Sequence, residues 1–164
     1  MLGDAEIRHL RRCIELAQQA LDAGDQSFGS VLVGADGKVL FEDRNRVGGG
    51  DHTRHPEFEI ARWAASHMTQ QARAAATVYT STEHCPMCAA AHGWVGLGRI
   101  VYISSAVQLG QWLAELGVPA APIRFLRIGE LVPGLRVEGP VPELAEQVHE
   151  MQRRFYGSRG RQKT

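Results

Sequence analysis

Two short segments of this chain place zinc-type ligands where a helix is expected to begin. One is His55-Pro56-Glu57, and the other is Cys85-Pro86-Met87-Cys88. Proline is favoured at the first position of a helix, so each segment predicts a helix start. Two cysteines three apart at such a start project to the same side, where unpaired N–H groups stabilise thiolate. His55 can supply a third ligand from the other helix start, which leaves one position of a tetrahedral zinc ion open.

Glu57 is the carboxylate that these ligands leave uncommitted. It lies two residues after His55 and is displaced from it around the helix, so it should not bind the same metal. It falls on the inward stripe of the predicted helix with Ile60, Ala61 and Ala64. Zinc lowers the pKa of water towards 7, and a neighbouring carboxylate can take that proton and pass it to a leaving amine. The combination predicts hydrolytic deamination.

Other interpretations of the cysteine pair are weaker. A lone C-x-x-C segment is also typical of a structural half-knuckle or a redox pair. A four-cysteine zinc site is excluded, because Cys13 is the only other cysteine. A thioredoxin-like motif does not account for His55 and Glu57. Cys13 itself lies beside the apolar stripe of the first helix, which predicts a buried structural thiol.

Length and charge bound the class of protein. The 164 residues are about one domain, and we expect a single domain over residues 1–156 and a disordered basic tail over 157–164. The chain has 18 Lys and Arg residues and 18 Asp and Glu residues, so its net charge is zero. A net charge of zero does not favour binding to nucleic acid or to a membrane surface. We therefore expect a small-molecule partner. The acidic start of the chain lacks a secretory pattern, and we expect a cytoplasmic protein.

Hydrophobic patterning predicts an α/β fold. We expect helices over residues 4–23, 56–68, 85–95, 111–116 and 143–156, strands over 28–33, 39–47, 77–81, 99–104 and 123–128, and a mobile loop at 48–50. Asp36-Gly37 indicates a hairpin between the first two strands. Strands that alternate with helices after the hairpin indicate parallel pairing. The prediction is a three-layer α/β/α sandwich around a five-stranded mixed sheet.

At these residues the chain resembles the cytidine and nucleobase deaminase superfamily, whose signature is H-x-E followed by P-C-x-x-C. The likeness also includes the segment 28–33, the segment Arg44-Asn45-Arg46-Val47 and the strand after the cysteine helix, and covers roughly residues 5–105. It implies the cytidine deaminase-like fold, Zn²⁺ held by His55, Cys85 and Cys88, and proton transfer by Glu57. It also implies that Asn45 hydrogen-bonds the base and that the protein is a homodimer.

Two residues depart from the family pattern. Pro56 replaces the usual Ala, and Pro lacks the N–H that cytidine-type enzymes direct at the pyrimidine carbonyl. The missing N–H of Pro56 argues against a cytidine substrate. His84 stands where Pro normally precedes the first cysteine, and we expect it to line the pocket or to hydrogen-bond a neighbour.

Further substrate contacts are predicted from the resemblance to bacterial guanine deaminases. Phe28 opens the first strand, and Trp94 falls on the cysteine helix where those enzymes carry Trp, so both are candidate pocket residues. Glu115 is the only carboxylate between Tyr102 and Glu130 and is a candidate for the purine's amino-bearing edge, with Trp112 three residues before it.

The leading interpretation is a zinc-dependent hydrolase acting on the C–N bond of a cyclic amidine. Its expected substrate is a free nucleobase or similar heterocycle, with guanine ahead of cytosine. One alternative is a tRNA adenosine deaminase, which would share every catalytic residue. Another is a non-catalytic, zinc-stabilised binding domain. The substrate and the oligomeric state are not determined by these patterns.

Overall fold

The computed structural model describes residues 2–160, and side chains through residue 157. The helices are α1 (Asp4–Asp22), α2 (Pro56–His67), α3 (Gln70–Ala74), α4 (Pro86–Val95), α5 (Ala106–Glu115), α6 (Ile128–Leu131) and α7 (Pro142–Gly160). The strands are β1 (Gly29–Val33), β2 (Val39–Arg44), β3 (Thr77–Thr82), β4 (Arg99–Ser104) and β5 (Arg136–Glu138). A short 3-10 helix covers Val47–Gly49.

The strands form one mixed sheet in the order β2-β1-β3-β4-β5. β1 pairs antiparallel with β2 and β3, whereas β4 pairs parallel with β3 and β5. Val31 and Val33 face a core formed with α1 and α7, while Leu32 faces a second core formed with α2. Side chains of a strand alternate between faces, so helices cover both sides of the sheet. The predicted α/β/α sandwich with a five-stranded mixed sheet is confirmed.

Helix α1 packs directly on β1. A Cβ atom at Gly29 would lie 2.5 Å from the carbonyl oxygen of Cys13 and from Cβ of Leu16, so only glycine allows this approach. Cys13 is fully buried, and burial raises the pKa of its thiol well above the usual value. This placement confirms the buried thiol that the sequence predicted.

The C-terminal third differs from the sequence prediction. Residues 123–128 do not form a strand: Ile123 and Phe125 are exposed, and the fifth strand is Arg136–Glu138. The helix predicted over 111–116 begins at Ala106, because Ser105 and Gln108 form a capping box there. Helix α7 continues through residue 160, so residues 157–160 are helical rather than part of a disordered tail. Residues 161–164 of that predicted tail lie outside the described residues.

The glycine run after β2 is also ordered into local structure. The 3-10 helix contains Gly48 and Gly49, and the Gly48 N–H donates to the Asp25 carboxylate at 2.7 Å. The predicted mobile loop is thus a short capped turn in this structure. No helix in residues 2–160 is both long and apolar enough to cross a membrane.

Candidate active site

The structure brings the two predicted ligand segments together at neighbouring helix starts. His55 is the N-cap of α2 and Cys85 is the N-cap of α4, each followed by a proline at the first helical position. His55 Nδ1 lies 3.6 Å from both Cys85 Sγ and Cys88 Sγ, and the two sulfurs are 3.5 Å apart. This trio is the group of potential metal ligands found in the described residues.

These separations fit a zinc ion. With Zn–S near 2.3 Å and Zn–N near 2.0 to 2.1 Å, a tetrahedron has S to N edges of about 3.6 Å and an S to S edge of about 3.8 Å. All three observed separations agree with these edges to within about 0.3 Å. His55, Cys85 and Cys88 would therefore hold Zn²⁺ with one coordination position left for another ligand.

The surroundings shift the pKa values of the two thiols in opposite directions. The hydrogen bond with Cys88, and a second one with His55, lower the pKa of Cys85 to about 4. Proximity to Cys85 and burial raise the pKa of Cys88 well above its usual value. Burial opposes protonation of His55, but the hydrogen bond with Cys85 and the charge of Glu57 together raise its pKa. The surroundings thus favour the thiolate at Cys85 and the thiol at Cys88, and metal binding would release the proton of Cys88.

Glu57 lies beside the ligands, on the first turn of α2. Its carboxylate is buried, and Oε2 is 3.9 Å from Cys88 Sγ. Burial is the main cause that raises its pKa. A carboxylate with a raised pKa, next to a three-ligand metal site, is suited to accept and return a proton.

Two hydroxyls hold Glu57, and the sequence did not single them out. Ser30 Oγ and Thr80 Oγ1 each lie 3.0 Å from Glu57 Oε1 and can donate to it. Ser30 and Thr80 are directly paired across β1 and β3, and their oxygens are 2.8 Å apart. The strand register therefore orients the carboxylate. No local pattern reveals this role, because it depends on which strand pairs with which.

A cavity of about 850 Å³ opens above these groups. Its base contains His55, Glu57 and Cys85, and Phe28 lines it as predicted. The opposite wall is formed by α5 and the segment 118–125, whose lining residues are Val118, Pro119, Ala120, Ala121, Pro122, Ile123 and Phe125. The metal site is therefore at the bottom of a cleft that can admit an organic ligand.

Asn45 follows β2 and is fully buried behind the cavity lining. Its Oδ1 accepts from the Val47 N–H at 3.1 Å, and its Nδ2 has no hydrogen-bond partner. The Val47 bond assigns the oxygen, so the free group is a donor. Phe28 and Val47 line the cavity on either side, and the Asn45 backbone N–H donates to the Phe28 carbonyl. A buried unpaired donor at this place suits the predicted contact with a base.

His84 does not line the cavity. It is buried, and its Nε2 lies 3.3 Å from His92 Nδ1 on α4. The second interpretation from the sequence, a hydrogen bond to a neighbour, therefore agrees with the structure. Desolvation lowers the pKa of both imidazoles, in His92 to about 4, so the pair is neutral near pH 7.

The remaining predicted substrate contacts are not supported by their positions. Trp94 is 91% exposed and lies outside the cavity lining. Trp112 instead stacks on His149 of α7, with ring centroids 4.2 Å apart. Glu115 is exposed at the end of α5 and is not among the cavity-lining residues. Trp94, Trp112 and Glu115 are thus all absent from the residues that line the cavity.

Glu83 is a further residue that the sequence prediction missed. It is buried, lines the cavity and directly precedes the His84-Cys85 segment. One carboxylate oxygen accepts from the Ala106 N–H at 2.8 Å and the other from the Ile128 N–H at 2.9 Å. These are the first residues of α5 and α6, so a single side chain connects the metal segment to two helices of the C-terminal third.

The fold and the ligand set define the class of protein: an α/β/α protein with a His-Cys-Cys zinc site and a carboxylate beside it. Residues 4–104 match the family model of the cytidine and deoxycytidylate deaminase zinc-binding region. This match covers more than half of the chain, and the chain belongs to that family.

Individual relatives differ in what they act on. The chain is 35% identical over 101 residues to a probable cytosine deaminase of Schizosaccharomyces pombe, covering 62% of this chain and 61% of that protein. It is 34% identical over 95 residues to guanine deaminase of Bacillus subtilis, covering 57% and 60%. The chain thus matches about three fifths of the length of these two relatives.

A solved structure supports the fold over most of the chain. It comes from a study of A-to-I editing by tRNA:A34 deaminases and superposes with a TM-score of 0.63 at 22% identity. The alignment covers 88% of this chain and 99% of that one. At this identity the likeness shows the cytidine deaminase-like fold alone.

Proposed function

We propose that this protein is a zinc-dependent hydrolase that deaminates a free aminated heterocycle, with a guanine-like base ahead of cytosine. The observation that carries the proposal is Glu57, a buried carboxylate held by Ser30 and Thr80 directly beside the three ligands. Zinc, when bound, supplies a Lewis acid that makes water nucleophilic near neutral pH.

Residues of the chain itself carry out the proton transfers and orient the substrate. Glu57 accepts a proton from the attacking water, whose oxygen bonds to the ring carbon that bears the amino group. Glu57 passes that proton to the adjacent ring nitrogen as the ring C=N bond becomes single. It then transfers the proton of the added hydroxyl to the amino nitrogen, the C–N bond breaks, and ammonia leaves while a ring carbonyl forms. Asn45 Nδ2 donates to the base and fixes its orientation. Water and substrate together balance ammonia and the carbonyl product.

Two features favour a guanine-like base over cytosine. Pro56 begins α2 beside the site and has no N–H to offer a pyrimidine carbonyl. The cavity of about 850 Å³ is also wider than a single pyrimidine ring requires. Trp94, which suggested a purine at the sequence level, adds no support because it lies outside the cavity.

The tRNA adenosine deaminase alternative finds little support in the charge distribution. Recognition of RNA relies on Lys and Arg contacts to phosphate. No Lys or Arg lines the cavity in the described residues, and the whole chain has no net charge. Strong, salt-sensitive tRNA binding would reverse this preference.

The proposal also retains a cytoplasmic homodimer with one catalytic domain over residues 1–156. A non-catalytic zinc-stabilised domain would leave the burial of Glu57 without a compensating role. Light scattering on the purified protein tests the dimer. A zinc-loaded protein that is inactive on all bases, nucleosides and nucleotides would favour the non-catalytic alternative.

The decisive experiment measures ammonia release from guanine, cytosine, adenine, their nucleosides and aminated triazines. We expect about one zinc per chain, and we expect Glu57→Gln to keep the metal while losing roughly 10²- to 10⁴-fold in kcat. Glu59→Gln is the matched control, because Glu59 lies on the same helix and, within residues 2–157, its ion pair is with Arg54, at 3.6 Å. Normal turnover by Glu57→Gln would contradict the mechanism.

A further inference from the structure

The segment 118–125 carries apolar side chains that the fold does not use. We call Val118, Pro119, Pro122, Ile123 and Phe125 the apolar rim; all five line the cavity. Ile123 is 48% exposed and Phe125 is 37% exposed, and no residue of the apolar rim belongs to the three hydrophobic cores of the described residues. Their hydrophobicity therefore serves the cavity rather than the interior.

The neighbouring face of α5 extends this apolar surface. Leu109 and Leu113 line the same wall, with Ala106, Gly110 and Ala114 beside them. Glu83, at the base of this wall, has both carboxylate oxygens engaged by backbone N–H groups of α5 and α6.

The two ends of the cavity therefore differ in chemistry. The inner end offers His55 and Glu57, and the buried unpaired amide of Asn45, which does not itself line the cavity, is hydrogen-bonded to the lining residue Val47. The segment 118–125 offers carbon surface, whereas the polar lining residues Gln26, His52, Thr53 and Tyr156 come from other parts of the chain; no Lys or Arg belongs to the described lining. A phosphate against the apolar rim would find no Lys or Arg of the cavity lining, because Arg124 lies outside it, and sugar hydroxyls facing the apolar rim would be left unpaired on burial. An apolar group there would instead lose contact with water favourably.

The volume supports an extended ligand. Cavities of about 300–1,000 Å³ typically enclose drug-sized molecules. A cavity of about 850 Å³ lies in the upper part of that range and is not filled by a free base. A base bound at the metal end would leave the apolar rim in contact with water.

We propose that the substrate is an uncharged aminated heterocycle that carries an apolar substituent on a ring atom remote from the amino group. The ring lies at the metal end, and the substituent lies against the apolar rim. This inference rests on the proposed deaminase function and narrows its substrate class from a bare base to a base with an apolar extension.

The test is a matched series of guanines substituted at N9 and cytosines substituted at N1. In each series the ring nitrogen carries hydrogen, benzyl, ribosyl or ribosyl 5′-phosphate, and ammonia release gives kcat/KM. We expect the benzyl compound to exceed the free base by about tenfold, and the 5′-phosphate to be the poorest substrate. The inference is overturned if the 5′-phosphate is best, or if the free base is turned over and the benzyl compound is not.

A variant pair tests the location of the substituent. Phe125→Ser should lower the benzyl to free-base ratio of kcat/KM by about tenfold. Leu40→Ser is the control, because Leu40 on the β1–β2 hairpin is exposed to the same 37% and lies outside the cavity lining. Thermal unfolding of both variants checks that the fold is kept. An unchanged ratio in Phe125→Ser would overturn the inference.

The outcomes also separate this inference from the proposed function. If no compound releases ammonia, the proposed function fails, and calorimetric titration of the zinc-loaded protein with the benzyl compounds shows whether the apolar rim binds them. If free bases are turned over without a benzyl preference, only the inference fails. If Phe125→Ser changes the mass in light scattering and leaves the ratio unchanged, the apolar rim is a subunit contact and the inference fails.

Discussion

At the residue scale, the unpaired amide nitrogen of Asn45 is the clearest indication of a bound ligand. Its amide is fully buried, and its oxygen is used by the Val47 N–H while its nitrogen donates to nothing. An unpaired buried donor is unfavourable by about 1–3 kcal/mol, so a protein retains one where something else completes it. A ring nitrogen or carbonyl of a bound base would do so.

We therefore expect Asn45→Asp to weaken catalysis by replacing the amide donor with a carboxyl oxygen, which also introduces a buried ionisable group. Asp keeps an oxygen for the Val47 N–H and replaces Nδ2 with a second oxygen. The kcat/KM for the best free base should fall roughly ten- to a hundredfold, the equivalent of one lost hydrogen bond to a ligand. Zinc content, measured in parallel, should stay near one per chain. A variant as active as the wild type would show that Nδ2 does not contact the substrate.

The same scale shows how far the site could be predicted from the sequence. His55, Cys85 and Cys88 were predictable because their positions follow local helix-start rules. Trp94 was expected in the pocket but lies outside the cavity lining, for an equally local reason. It lies six residues after Cys88, on the opposite side of α4, whereas His92 lies four residues after Cys88 and on the same side. Helical spacing alone would have favoured His92 as the buried neighbour of the metal segment.

At the element scale, the limits of prediction come from contacts between distant segments. Residues 123–128 contain four apolar residues among six, including Ile and Phe, which favours a strand, but the fifth place in the sheet is taken by Arg136–Glu138. Glu138 there forms an ion pair with Arg99 on β4, with a closest N to O distance of 2.7 Å. A three-residue strand is too short to show the two-residue hydrophobic period by which strands are recognised in a sequence. Pairing with β4, rather than intrinsic preference, selects it.

Glu83 connects the elements of the C-terminal third, and its removal should loosen them together. In Glu83→Gln one oxygen still accepts, but the amide nitrogen of Gln would face a backbone N–H of α5 or α6. We expect the free energy of unfolding to fall by about 1–3 kcal/mol. Urea unfolding measures this loss, and hydrogen exchange should show faster exchange of the Ala106 or Ile128 amide.

The control for this prediction is Glu115→Gln, which changes an exposed carboxylate on α5. It should leave the unfolding free energy within about 0.5 kcal/mol of wild type. Equal stability of Glu83→Gln and wild type would mean that the two backbone contacts are not formed in solution.

At the scale of the whole molecule, the cysteine segment and its helix α4 also carry two buried histidines, His84 and His92. His92 is buried on α4 against His84, with its Nδ1 3.3 Å from His84 Nε2. Desolvation lowers the pKa of His92 to about 4, and only a weaker hydrogen bond with the Leu97 backbone opposes this. The ordinary value is 6.5, which the unfolded chain regains. Folding thus holds this imidazole neutral where the unfolded chain would protonate it.

This difference predicts a loss of stability in acid. Between pH 6.5 and 4 the unfolded state binds more protons than the folded state, so the free energy of unfolding falls as the pH decreases. One group with these pKa values contributes on the order of 2 kcal/mol between pH 6.5 and pH 5. His92→Gln cannot be protonated, so its stability should decline less over this interval by about that amount.

The measurement is urea unfolding at pH 6.5 and at pH 5.0 for wild type, His92→Gln and the exposed-site control His67→Gln, each with and without zinc. Protonation of the ligands releases metal from all three proteins, so the comparison between variants cancels that contribution. Without zinc, the difference between wild type and His92→Gln isolates the buried imidazole. A pH dependence of His92→Gln equal to that of wild type would show that His92 is not held neutral by the fold.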